Sequence, residues 1–198
     1  MRTRIFNIAI ITILALIGTL GQAKAETLLG DKITDSGWSI GGSMILSNVD
    51  GQTTPMSGMR LHWIINKNFG IGFYDYGTAV EGQHSYMSTE RDFHLELTGM
   101  DIEYTVNPND MLHWGGSLAL GGGHIDFRHN ADAGFTDDPD DDFFFVQPML
   151  HSELNLIKHL KLGASAGYRF TSGVNTIDLS NKNMNGYVLA LTLKYSKP

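Results

Sequence analysis

Apolar and polar residues alternate with a period of two along most of the chain, and the helical period of 3.6 does not recur. The clearest stretch is near the end. Tyr187, Leu189, Leu191, Leu193 and Tyr195 share one face, and Val188, Ala190, Thr192, Lys194 and Ser196 share the other. Upstream, Leu160, Leu162, Ala164, Ala166, Tyr168 and Phe170 oppose Lys161, Gly163, Ser165, Gly167 and Arg169. Leu112, Trp114, Leu118 and Leu120 oppose His113, Gly115, Ser117, Ala119 and Gly121, and Met59, Leu61, Trp63 and Ile65 oppose Arg60 and His62. The pattern predicts eight strands, at about 37–47, 55–65, 69–80, 92–107, 111–126, 143–157, 160–171 and 184–196. In the fourth, Met100, Ile102, Tyr104 and Val106 oppose Asp101 and Glu103, whereas Phe93, Leu95 and Leu97 have the other parity. A bulge at Thr98-Gly99 is the expected cause of that slip.

The connections add topology. Asn66-Lys67-Asn68, Asn107-Pro108-Asn109-Asp110 and Lys158-His159 are short, and the first two carry turn chemistry. Asn48–Thr54, Glu81–Arg91, Phe127–Asp142 and Ser172–Asn183 read as longer. Alternating short and long connections predict an all-β fold: an eight-stranded antiparallel up-and-down transmembrane β-barrel with short periplasmic turns and longer extracellular loops. A soluble lipocalin-like barrel is the alternative, with its apolar face inward and an apolar ligand inside. Two features favour the outward arrangement. Trp63, Phe69, Tyr104, Trp114 and Tyr195 lie near short turns or the C-terminus, as an interfacial girdle does. The opposite face combines Gly, Ser and Ala with a few charges, which suits the narrow lumen of eight strands.

The first 25 residues predict a cleaved signal peptide. Arg2 and Arg4 precede an apolar run from Ile8 to Leu20, and Ala23-Lys24-Ala25 is a small-x-small cleavage site. Residues 26–36 read as an irregular lead-in, and 37–198 as one barrel domain. The chain has 198 residues, a formal charge of −7 and no cysteine. Removing the leader takes away Arg2, Arg4 and Lys24 and no acid, so the mature chain is still more acidic. That balance argues against nucleic-acid binding. The absence of cysteine excludes a disulfide scaffold and thiolate metal sites.

Several stretches resemble a family of small, mostly uncharacterised bacterial outer-membrane β-barrel proteins. They are Trp63-Ile64-Ile65-Asn66, Tyr104-Thr105-Val106-Asn107-Pro108, Gly121-Gly122-Gly123, Asp142-Phe143-Phe144-Phe145-Val146-Gln147-Pro148, Tyr168-Arg169-Phe170-Thr171-Ser172-Gly173-Val174 and Leu191-Thr192-Leu193-Lys194-Tyr195. They keep their order over residues 55–195 and sit at turns and strand ends. The resemblance implies a fold and an outer-membrane location, and it brings no catalytic residue. In one departure from the wider class, the final aromatic, Tyr195, lies three residues before the end.

The inferred lumen face carries Arg60, His62, Asp101, Glu103, His151, Glu153 and Lys194 at similar distances from the short turns. Buried charges must pair, so a structural polar layer is expected. The eight histidines show no metal-ligand spacing. The acidic run Asp137-Asp138-Pro139-Asp140-Asp141-Asp142 reads as a solvated loop, with a hard cation as its only evident ligand class. His151-Ser152-Glu153 looks like a hydrolase arrangement on paper, but neighbouring strand residues point to opposite faces. The expectation is a non-enzymatic, monomeric envelope barrel in contact with outer-membrane lipids, with no cofactor. A lipid-modifying enzyme is the third reading.

Overall fold

The computed structural model describes residues 36–79, 82–86, 89–128, 140–175 and 179–197. The strands are β1 (Gly37–Val49), β2 (Gln52–Ile65), β3 (Phe69–Thr78), β4 (Gly82–Tyr86), β5 (Thr89–Val106), β6 (Leu112–Arg128), β7 (Asp140–Ile157), β8 (Leu160–Ser172) and β9 (Gly186–Lys197). One short helix, α1 (Asn181–Met184), precedes β9. The hydrogen-bonded order is β3-β2-β1-β9-β8-β7-β6-β5-β4, and β3 also pairs with β5. That last pairing closes the sheet into a ring. β4 takes up pairing with β5 at Gly82↔Phe93, beyond the last β3 pair at Gly77↔Glu96. β3 and β4 are therefore two parts of one wall, and the barrel is eight-stranded and antiparallel. The β3–β5 pairing closes the wall at the height of β3, the condition for a sheet within hydrocarbon, and β4 pairs with β5 alone beyond it. The leader and all but Ser36 of the 26–36 lead-in lie outside the described residues, as do Asp137, Asp138 and Pro139 of the acidic run.

The polarity of the barrel is inverted relative to a protein in water. Trp63 is 63% exposed, Leu150 71% and Leu191 51%, whereas Asp101, Lys194 and Arg169 are buried. Water would penalise such an apolar exterior; a bilayer rewards it. Walls built from strands of 10 to 18 residues match or exceed the roughly 9–11 that cross a bilayer at a tilt. Trp63, Tyr104, Trp114 and Tyr195 face outward near the short turns, joined by Trp38, whose ring lies 5.7 Å from that of Tyr195. Phe69 is half-buried. Because Leu191 is outward near the middle of β9, Leu191→Arg is expected to cost about 2–4 kcal/mol of folding free energy in bilayers. Urea titration in phospholipid vesicles measures this, and an unchanged midpoint would place Leu191 away from lipid.

Two expectations are corrected. The Asn48–Thr54 connection is a tight hairpin: β1 ends at Val49, β2 begins at Gln52, and Asp50 and Gly51 have φ of 50° and 78°. Positive φ at both central residues is the primed turn that Asp-Gly favours between twisted strands. The Glu81–Arg91 connection likewise contains β4 and the start of β5, and Phe127–Asp142 is shortened because β6 runs to Arg128 and β7 starts at Asp140. Nor is there a bulge at Thr98-Gly99. β5 pairs without interruption through both residues on both sides. Phe93, Leu95 and Leu97 share the inward parity of Asp101 and Glu103 and are buried with them. The slip in the pattern is a change of lumen chemistry along one regular strand. The one register shift between β7 and β8 falls at Asn155/Ile157.

The lumen thus has two halves. Toward the loop end, Tyr74, Leu95, Leu97, Ile125, Phe143 and Phe145 belong to a single buried apolar cluster. Tyr74 stacks on Tyr76 at 5.2 Å and lies 6.2 Å from Phe145. The rings fit because the neighbouring stretch of β6 is glycine: a Cβ at Gly123 would collide with the Phe143 ring, and one at Gly121 would crowd the Tyr74 hydroxyl. Toward the turn end the lumen is charged.

Candidate functional site

Strand parity alone aims the charged residues. β2 supplies Arg60 and His62, β5 Asp101 and Glu103, β7 His151 and Glu153, and β9 Lys194. The barrel brings all seven together. Arg60 Nη2 donates to Asp101 Oδ2 at 2.6 Å, and Arg60 Nη1 lies 3.9 Å from Glu103 Oε2. His62 Nε2 donates to the same Asp101 carboxylate at 2.8 and 2.9 Å. Lys194 Nζ donates to Glu103 Oε1 at 2.8 Å and pairs with Glu153 Oε1. One ammonium therefore joins carboxylates from β5 and β7. His151 Nε2 lies 3.4 Å from the Thr105 hydroxyl, at the edge of the network.

Two members were not singled out from sequence. His113 of β6 places Nε2 3.1 Å from Glu153 Oε2, and Lys161 of β8 places Nζ 3.8 Å from the same oxygen. Both lie on the polar face of their strands, so parity and distance from the turn would have found them. Three bases, Arg60, Lys161 and Lys194, thus stand against three acids, Asp101, Glu103 and Glu153. Arg169 lies apart, fully buried in the loop-end half. It donates to the carbonyls of Met184 at 3.1 Å and Asn48 at 3.2 Å, tying α1 and the end of β1 to β8.

The arrangement constrains the chemistry. The groups His62–Asp101–Glu103 and Glu103–His151–Glu153 each have ligand atoms within 4.8 Å of one another, close enough for a metal. Their carboxylates are already neutralised by Arg60 and Lys194, so a divalent cation would have to displace a buried ion pair. Ser152 is no nucleophile toward His151: its hydroxyl donates to the His113 carbonyl at 3.2 Å, while His151 faces the lumen. A nucleophile needs its base within hydrogen-bond reach, and this pair lacks it.

No protein-family model matches the chain, and no curated protein matches its sequence. Solved structures do match in fold. The N-terminal β-barrel domain of Pseudomonas aeruginosa OprF superposes with a TM-score of 0.55 at 12% identity, over 80% of this chain and 97% of that one. Neisserial surface protein A (NspA) gives 0.57 at 13% identity, over 81% and 96%. Ail, the attachment invasion locus protein of Yersinia pestis, gives 0.52 at 15% identity, over 82% and 97%, in its complex with the heparin analogue sucrose octasulfate. The fold is that of the bacterial outer-membrane β-barrels, in their small eight-stranded form. These likenesses are of architecture; at such identities they carry no site residue across.

Proposed function

We propose that the chain is a non-enzymatic outer-membrane barrel of the bacterial envelope, monomeric and in direct contact with membrane lipids. It would belong with the small barrels that its strand-end motifs resemble. The observation that carries this reading is the inverted polarity, with leucines and aromatics outside and an ion-paired layer inside. In this reading Arg60, His62, Asp101, Glu103, His151, Glu153 and Lys194 are a structural layer that plugs the lumen, not a catalytic or transport site. The apolar cluster above them is a second seal. Function then rests with the exterior and the loops, in structural or interaction roles. A lipocalin-like reading has against it an interior occupied by charge and rings, and an exterior unsuited to water.

Two measurements test the proposal. The protein is expected to fractionate with outer membranes and to require detergent for extraction. Folded monomer recovered in plain buffer would overturn that. In planar bilayers the folded barrel is expected to show no stable conductance step, because eight strands leave a lumen that side chains fill. Sustained single-channel openings would remove the plug from the reading while leaving the membrane location intact.

A further inference from the structure

The turn end of the lumen opens into a cavity of about 340 Å³. All three short turns and the last strand line it: Lys67 between β2 and β3, Pro108 and Asn109 between β5 and β6, Lys158 between β7 and β8, and Ser196 on β9. Each turn is tied to a strand outside its own hairpin. Asn68 Nδ2 donates to the Thr105 carbonyl of β5 at 2.7 Å. Asn155 Nδ2 of β7 donates to the Asp110 carbonyl at 2.7 Å, and His159 Nδ1 to the Ser196 carbonyl of β9 at 3.0 Å. A mouth fixed in this way loses little freedom when it takes up a ligand.

The charge of this mouth is one-sided. Lys67, Lys158 and Lys161 line the cavity, and among the described residues no acid does. Lys161 stands at the floor, where Nζ lies 3.8 Å from Glu153 Oε2, too far for a hydrogen bond. Counted with Arg60 and Lys194, it already balances the three acids of the layer below. Lys67 and Lys158 are exposed in their turns and add charge beyond that balance. The wall also holds an unused donor. Ser196 is 7% exposed, and its buried Oγ has no hydrogen-bond partner among the described residues. Buried hydroxyls are ordinarily satisfied, so one left over on the wall of a cavity is a place for a ligand oxygen.

We propose that the turn-end mouth of the barrel is a binding site for a small phosphate ester. Lys67, Lys158 and Lys161 supply the positive charge, and the Ser196 hydroxyl donates to a phosphate oxygen. A phosphate group offers several strong acceptor oxygens in a tetrahedral array, so it meets ammonium groups on more than one wall at once. A carboxylate has two oxygens in one plane. Lysine binds phosphate as a point charge and needs no fixed fork geometry. Ile64, Pro108 and Ile157 give the organic part of the ester an apolar wall. The volume is at the small end of cavities that take small molecules. Two sources share this chemistry: a soluble phosphate ester, and the headgroup of a phospholipid in the leaflet on the turn side. The site goes beyond the structural reading above, because it lies over the ion-paired layer and leaves that layer as the plug.

The test is calorimetric titration of glycerol 3-phosphate into the full chain folded in dodecyl maltoside, with folding verified on the same samples by circular dichroism. A second arm titrates mixed micelles of phosphatidylglycerol and dodecyl maltoside. One site is expected in at least one arm. Lys158→Gln and Lys67→Asn are each expected to weaken it about tenfold, the size of one hydrogen bond to a charged group. Both positions are exposed in turns, and Asn suits the φ of 59° at Lys67, so the fold is retained. Ser196→Ala is expected to weaken it about threefold to tenfold. Lys182→Gln, which removes the same charge at the opposite end of the barrel, leaves it unchanged. Binding in the first arm alone makes the source a soluble ester, and binding in the second alone a lipid headgroup. No binding in either arm to a folded sample overturns the proposal, as does binding that survives the two lysine substitutions together. Glycerol or acetate bound as tightly as glycerol 3-phosphate also overturns it, since the phosphate would then not be what is recognised. A chain that folds without detergent refutes the membrane reading instead, so the two failures are distinguishable.

Discussion

Lys194→Met is expected to destabilise the folded barrel by about 3–5 kcal/mol, the usual consequence of stranding a buried charge. The ammonium is fully enclosed and contacts both Glu103 and Glu153. Without it, Glu153 keeps His113 at 3.1 Å and Lys161 at 3.8 Å, whereas among the described residues Glu103 keeps Arg60 alone as an ion-pair partner, at 3.9 Å. The larger share of the loss therefore falls on Glu103. Lys194→Met combined with Glu103→Gln should recover part of it, and the double-mutant cycle isolates the coupling. Arg60→Met is expected to act in the same direction through Asp101, which retains His62. Denaturant unfolding in detergent or vesicles reads all of these variants. Strictly additive losses would mean that the residues are separately solvated, and the ion-paired layer would have to be abandoned.

The second large effect lies in the other half of the lumen. Phe145→Ala is expected to cost about 3–5 kcal/mol, because it removes a ring that is 1% exposed and leaves a cavity between Tyr74 and Phe143. Phe145→Leu keeps most of the volume and should cost under about 1.5 kcal/mol. Equal losses for the two would mean that ring geometry outweighs volume. No loss from the alanine variant would mean that the loop-end lumen is loose and open to water.

Period-two alternation is enough to assign faces, and exposure alternates with it along most of β2, β6, β8 and β9. β5 departs from the expectation of a polar lumen. Phe93, Leu95 and Leu97 break the apolar-outward pattern without any bulge, because they are inward residues of an unbroken strand whose lumen is apolar at that depth. A one-dimensional pattern records the side on which a residue lies, and it does not record what fills that side at a given depth. The Asp50-Gly51 hairpin carries a local signal, the Asp-Gly pair itself. The cross-strand partners had none. That Glu96 meets His124, or that Lys194 reaches Glu103, depends on the stagger of the closed barrel, which no single segment encodes. His113 and Lys161 fall between these cases: their faces were legible, and their common target, Glu153, was not.

The position of Lys194 in the chain has a kinetic consequence. It lies on the last strand, 91 residues after Glu103, and its strand is the one that joins β8 to β1. Until that strand arrives, a curled seven-stranded sheet must carry Glu103 and Glu153 without their main cation, in a lumen still open along one seam. The partial barrel is penalised twice, by an unpaired edge in hydrocarbon and by uncompensated carboxylates. Closure relieves both at once. The final strand acts as a latch, and it makes completion of the ring a single cooperative event with no stable resting point before it.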